Sequence, residues 1–123
     1  MKTTSVGRHA IFDLEIQKTH PLLSQPDMFI NSMTEACVSV GATVLNTQMH
    51  YFGTDNSGYT FTIILAESHA SCHTWPEHGL ATFDIFMCGD CDPFEAQRLF
   101  LEKLQLVNFK IYETKLFRGF IHD

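Results

Sequence analysis

No stretch of this chain approaches the roughly 20 consecutive apolar residues that a membrane-spanning helix requires. Its first residues, MKTTSVGRHAIFDLEIQ, lack the apolar centre of a secretory leader. Basic residues are scarce: eight Lys and Arg stand against fourteen Asp and Glu, a formal net charge of −6. That balance excludes nucleic acid and anionic membrane as main partners, because both bind through basic surface. Only 18% of residues are charged while 45% are hydrophobic, which excludes an intrinsically disordered chain. Repeats, low-complexity tracts and linkers are missing too, so the 123 residues read as one domain, 1–123, large enough for a core without staples. These absences predict a soluble cytoplasmic protein. In that setting Cys37, Cys72, Cys88 and Cys91 serve as thiols, ligands or catalysts rather than disulfides.

What is present divides into short elements. Ile11, Leu14 and Ile16 mark a strand over 9–17. Pro26 opens a helix that Gly41 closes, with Phe29, Met33, Ala36, Cys37 and Val40 on one side. The β-branched and aromatic run 42–52, the turn GTDNSG at 53–58 and the run 59–65 read as a hairpin. Residues 66–79 read as irregular, and 81–87 alternates as a two-faced strand. Asp92 at the N-cap, Pro93 at N1 and Glu95 at N3 start a helix in capping-box style. A last strand covers 109–116. The order β-α-β-β-β-α-β predicts an α+β two-layer sandwich, a mainly antiparallel sheet with both helices on one face.

Polar chemistry is concentrated in ESHASCHTWPEHG, residues 67–79, which hold three of the seven histidines and the single tryptophan. Loops braced by a sheet are where binding and catalytic groups collect. The residues themselves allow three readings. A metal module would draw ligands from Cys72, His73, His78, Cys88 and Cys91, although structural zinc usually needs two paired sets. A dithiol redox module would use Cys88 and Cys91 ahead of a helix N-terminus. The third reading is an enzyme that builds its own electrophile.

The third reading gains from a resemblance. ESHASCHTWPEHG with ATFDIFMCG at 81–89 and DPFEA at 92–96 resembles the prokaryotic S-adenosylmethionine decarboxylase proenzymes, as do GRH at 7–9, GATVLNTQMHYF at 41–52 and RG at 118–119. The resemblance implies self-cleavage between Glu67 and Ser68, giving a β chain of 1–67 and an α chain of 68–123. The cofactor would be a pyruvoyl group made from Ser68, with neither pyridoxal phosphate nor a metal. It would hold S-adenosylmethionine as a Schiff base while CO₂ leaves, on the way to spermidine and other polyamines. His73 matches the proton acceptor for processing, Thr60 a hydroxyl that assists it, and Cys88 the proton donor in catalysis. Phe52 and Trp75 match an aromatic pair that stacks on adenine, and Glu77 a carboxylate that binds ribose. A homodimer of cleaved protomers, (αβ)₂, is implied, with sites where the protomers meet. Cys72, Leu80, Phe61 and Cys91 depart from the pattern, so the same chemistry on ornithine or arginine is the alternative substrate reading.

Overall fold

The computed structural model describes residues 3–54, 56–105 and 107–122. Six strands form one antiparallel sheet: β1 (Thr3–Glu15), β2 (Val44–Tyr51), β3 (Tyr59–Leu65), β4 (Ser68–Trp75), β5 (Leu80–Cys88) and β6 (Lys110–His122), in the spatial order β2-β3-β4-β5-β1-β6. Helix α1 (Asp27–Ser39) lies between β1 and β2 in the chain, and α2 (Pro93–Glu102) between β5 and β6. The α+β sandwich is as expected. Among the described residues no helix is long and apolar enough to cross a membrane.

Strand alternation sorts the sheet into two unlike faces. Ala10, Phe12 and Leu14 of β1, Tyr59, Phe61 and Ile63 of β3, Ala70 and Cys72 of β4, and Phe83, Ile85 and Met87 of β5 are buried on the helix side. Phe83 is the centre of this core. Its ring lies 5.0 Å from Phe12, 5.1 Å from Phe29 of α1 and 5.0 Å from Phe100 of α2. Among the described residues no helix covers the other face. It presents His9, Ile11 and Asp13 of β1, Thr60, Thr62 and Ile64 of β3, His69, Ser71, His73 and Trp75 of β4, and Thr82 and Asp84 of β5, each alternating with a buried residue.

One expectation is overturned. Residues 68–75 are not irregular but the strand β4, hydrogen-bonded on both sides, so the order is β-α-β-β-β-β-α-β. Its buried side consists of Ala70, Cys72 and Thr74, all small, so the period-2 pattern lacks the large apolar residues that advertise a strand. Thr74 is buried because its hydroxyl donates to the Leu23 carbonyl at 2.7 Å and accepts from the Tyr59 N–H at 3.0 Å. The start of α2 is as read, with Asp92 accepting from the N–H groups of Phe94 and Glu95. The capping box does not close, because the Glu95 carboxylate pairs with Arg98 instead.

Candidate active site

The connection between β3 and β4 is only Ala66 and Glu67, since Leu65 and Ser68 pair directly. Two-residue hairpin turns favour positive φ at their central residues, usually through Asn or Gly. Ala66 and Glu67 do not adopt it, and the positive φ falls on Ser68 instead, at 148°. A serine there sits in backbone space that glycine tolerates and side chains avoid, a cost of about 1–3 kcal/mol. The turn is stapled down: the Ala66 N–H donates to the Thr43 carbonyl at 2.9 Å, and the Thr43 N–H donates to the Glu67 carboxylate at 2.9 Å.

The carbonyl of Glu67, on the peptide bond into Ser68, accepts two donors. The Cys88 N–H lies at 3.1 Å and the Cys88 thiol at 3.2 Å. Cys88, the last residue of β5, thus points at position 67 and not at the helix that follows. On the other side of the same bond, Ser68 Oγ lies 3.3 Å from His69 Nδ1. His69 Nε2 lies 3.0 Å from Asp84 Oδ2, the oxygen that His9 Nε2 also reaches at 2.7 Å. The Ser71 hydroxyl donates to Asp84 Oδ1.

Burial by itself would raise the Asp84 pKa, but hydrogen bonds from His69, Ser71 and His9 outweigh it and hold the carboxyl at about 2. A folded pKa below the usual carboxylate value stabilises the fold above the ordinary pKa, and that contribution disappears as the pH drops through the folded one. In an uncut Ser68→Ala background, urea unfolding should therefore weaken between pH 4 and pH 2 by about 1–2 kcal/mol more than in Ser68→Ala/Asp84→Asn, after allowing for solvent screening of a partly exposed pair.

A second group forms further along the same strands. Thr60 Oγ1 and His73 Nδ1 are 2.5 Å apart across the β3–β4 pair. The His73 ring lies 4.2 Å from Trp75 and 5.1 Å from Phe52. Glu77 is exposed, in the 3₁₀ turn Pro76–His78 that follows β4. Five residues of strand, roughly 16 Å, separate His73 from Ser68 of the same chain. The residues expected at the site thus fall into two sets: Glu67, Ser68 and Cys88 in one, Thr60, His73, Phe52 and Trp75 in the other. His9, His69, Ser71 and Asp84 carry no expected role. For His69 the only sequence signal was its place beside Ser68, and nothing in a linear reading connects His9 to Asp84, 75 residues away.

The donor set of the metal reading is not gathered. Cys72 is buried under the helices, its thiol pushed well up by burial, while His73 is on the open face. Among the described residues only His9, His69 and Asp84 bring three ligand-type atoms close together. A polarised carbonyl, a hydroxyl beside it and an imidazole backed by a carboxylate are the working parts of an enzyme, set on an α+β sandwich. The family model for S-adenosylmethionine decarboxylase matches residues 8–117. The S-adenosylmethionine decarboxylase proenzyme of Prochlorococcus marinus is 42% identical over 85 residues, 69% of this chain and 66% of that one. The proenzyme of Thermosipho melanesiensis is 34% identical over 116 residues, 94% and 85% of the two chains. The crystal structure of the adenosylmethionine decarboxylase from Aquifex aeolicus superposes with a TM-score of 0.77 at 29% identity, covering 98% of this chain and 96% of that one. The chain belongs to the S-adenosylmethionine decarboxylase family.

Proposed function

We propose that the chain cuts itself between Glu67 and Ser68 into a β chain of 1–67 and an α chain of 68–123 headed by a pyruvoyl group, and that the product decarboxylates S-adenosylmethionine in the cytoplasm, in support of polyamine synthesis. The observation that carries this reading is the peptide bond itself: its carbonyl lies between the two donors of Cys88 while Ser68 holds φ 148°. Attack by Ser68 Oγ on that carbonyl puts negative charge on the oxygen that already faces two donors, the arrangement that lowers barriers in acyl transfer. Cleavage also releases the strained φ. The residues around position 68 therefore fit a group made from that serine.

The ester formed by the attack breaks when a base removes the Ser68 Cα proton. His73 takes this role in the proposal, with Thr60 holding its ring through Nδ1. It cannot reach Ser68 of its own chain, so a second copy supplies it. The open face suits such a copy, since it leaves Phe52, Ile64 and Leu116 exposed there. A homodimer, (αβ)₂, follows, with Phe52 and Trp75 arriving in the same set as His73 to stack on adenine, and Glu77 held for the ribose. When present, the pyruvoyl group supplies the electron sink for loss of CO₂. The Cys88 thiol then holds the proton that the decarboxylated carbon requires.

Release of labelled CO₂ from carboxyl-labelled S-adenosylmethionine, ornithine and arginine tests the reading. Only the first should turn over, borohydride should abolish it, and Cys91→Ser should leave it near wild type. Turnover of ornithine or arginine alone would replace the substrate assignment.

A further inference from the structure

We propose that His69 is the base that activates Ser68 for self-cleavage, held in the required tautomer by Asp84; the assignment rests on the self-cleavage reading above. The tautomers can be worked out from the neighbours. Arg118 Nη1 lies 3.3 Å from His9 Nδ1, and a guanidinium can only donate. His9 therefore accepts at Nδ1 and carries its proton on Nε2, which donates to Asp84 Oδ2. An ionised carboxylate only accepts, so His69 also carries its proton on Nε2. The neutral His69 ring then presents a bare Nδ1, and that atom faces Ser68 Oγ. Ser71 occupies the remaining Asp84 oxygen, so the carboxylate is fixed on both sides. The trio His9, His69 and Asp84 also has the composition of a metal site, but each Nε2 already spends its proton on Asp84, and the Arg118 guanidinium stands against His9.

The step balances within the chain. Ser68 Oγ passes its proton to His69 Nδ1 and bonds to the Glu67 carbonyl carbon, and the carbonyl electron pair moves to the oxygen facing Cys88. Collapse breaks the bond from that carbon to the Ser68 nitrogen, which takes the proton back from His69. An ester and a free amine result, with no atom gained or lost. The hydrogen bond to Asp84 raises the His69 pKa, against the opposing effects of burial and Arg118, which makes the ring a better base. His69 acts on the oxygen in the first step and His73 on the Cα proton in the second, which separates the two histidines experimentally.

Freshly refolded proenzyme is sampled over time on denaturing gels, half of each sample after neutral hydroxylamine, which cuts an ester and spares an amide. His69→Gln should slow the appearance of the two fragments by on the order of 10²–10⁴-fold, with an uncut chain that resists hydroxylamine. His73→Ala should instead accumulate a chain that hydroxylamine cuts. Wild-type cleavage rates in His69→Gln, or hydroxylamine-sensitive chain in that variant, would overturn the proposal. A wild-type protein that stays whole would instead remove the reading beneath it. Histidine nitrogen NMR of Ser68→Ala gives an arm that needs no change at position 69: the His69 proton is expected on Nε2, and a proton on Nδ1 would overturn the assignment even if His69→Gln fails to fold.

Discussion

Ser68→Ala should leave one uncut polypeptide with no measurable decarboxylation. Without Oγ nothing attacks the Glu67 carbonyl, and without the attack no electrophile is made, so the loss is of both processing and turnover. The fold should survive. Ser68 gives up a single hydrogen bond of 3.3 Å, a loss of about 1 kcal/mol or less. Ser68→Gly sharpens the test, because glycine accepts φ 148° without penalty. It should be equally uncut yet more stable than Ser68→Ala, by about 1 kcal/mol in urea unfolding. Equal stability of the two would mean that the backbone at position 68 stores no strain.

Mixed dimers give the second large effect. Ser68→Ala and His73→Ala should each be inactive when expressed alone. Since roughly 16 Å of strand separates the two side chains in one copy, the proposed site takes Ser68 from one chain and His73 from the other. Coexpressed and differently tagged, the two variants should therefore restore cleavage, and only in the chain that carries His73→Ala, because that chain keeps Ser68 and meets an intact His73 on its partner. Activity should return to at most one site in each mixed dimer. No cleavage in purified mixed dimers would place the proton acceptor within the same chain.

Much of the fold was legible because local chemistry announced it. Asp92 and Pro93 start α2 as read, and β3 spans residues 59–65, ending at the Ala66-Glu67 connection. β4 was not legible, because its inward residues Ala70, Cys72 and Thr74 are small and its outward ones are His and Ser, a composition that reads as loop. The ends of β1 and β6 were also missed. Thr3–Ser5 pair with Phe120–His122 beyond the rest of the sheet, and with little burial at 4–5 and 120–122 there is no periodic pattern to read. At the site, Glu67, Ser68 and Cys88 could be named from their motif, but the contact from Cys88 to the Glu67 carbonyl exists only because β5 pairs with β4 in one register. Asp84 looked like one more polar residue on an alternating strand. Only the sheet shows that His9 from β1 and His69 and Ser71 from β4 all converge on it.

Intact mass spectrometry of the purified wild-type protein tests the central claim most directly. Two chains are expected: residues 1–67 with an ordinary carboxyl terminus, and residues 68–123 lighter by one ammonia than a peptide headed by serine. A single polypeptide of the translated mass, or a fragment that still begins with serine, would contradict the account.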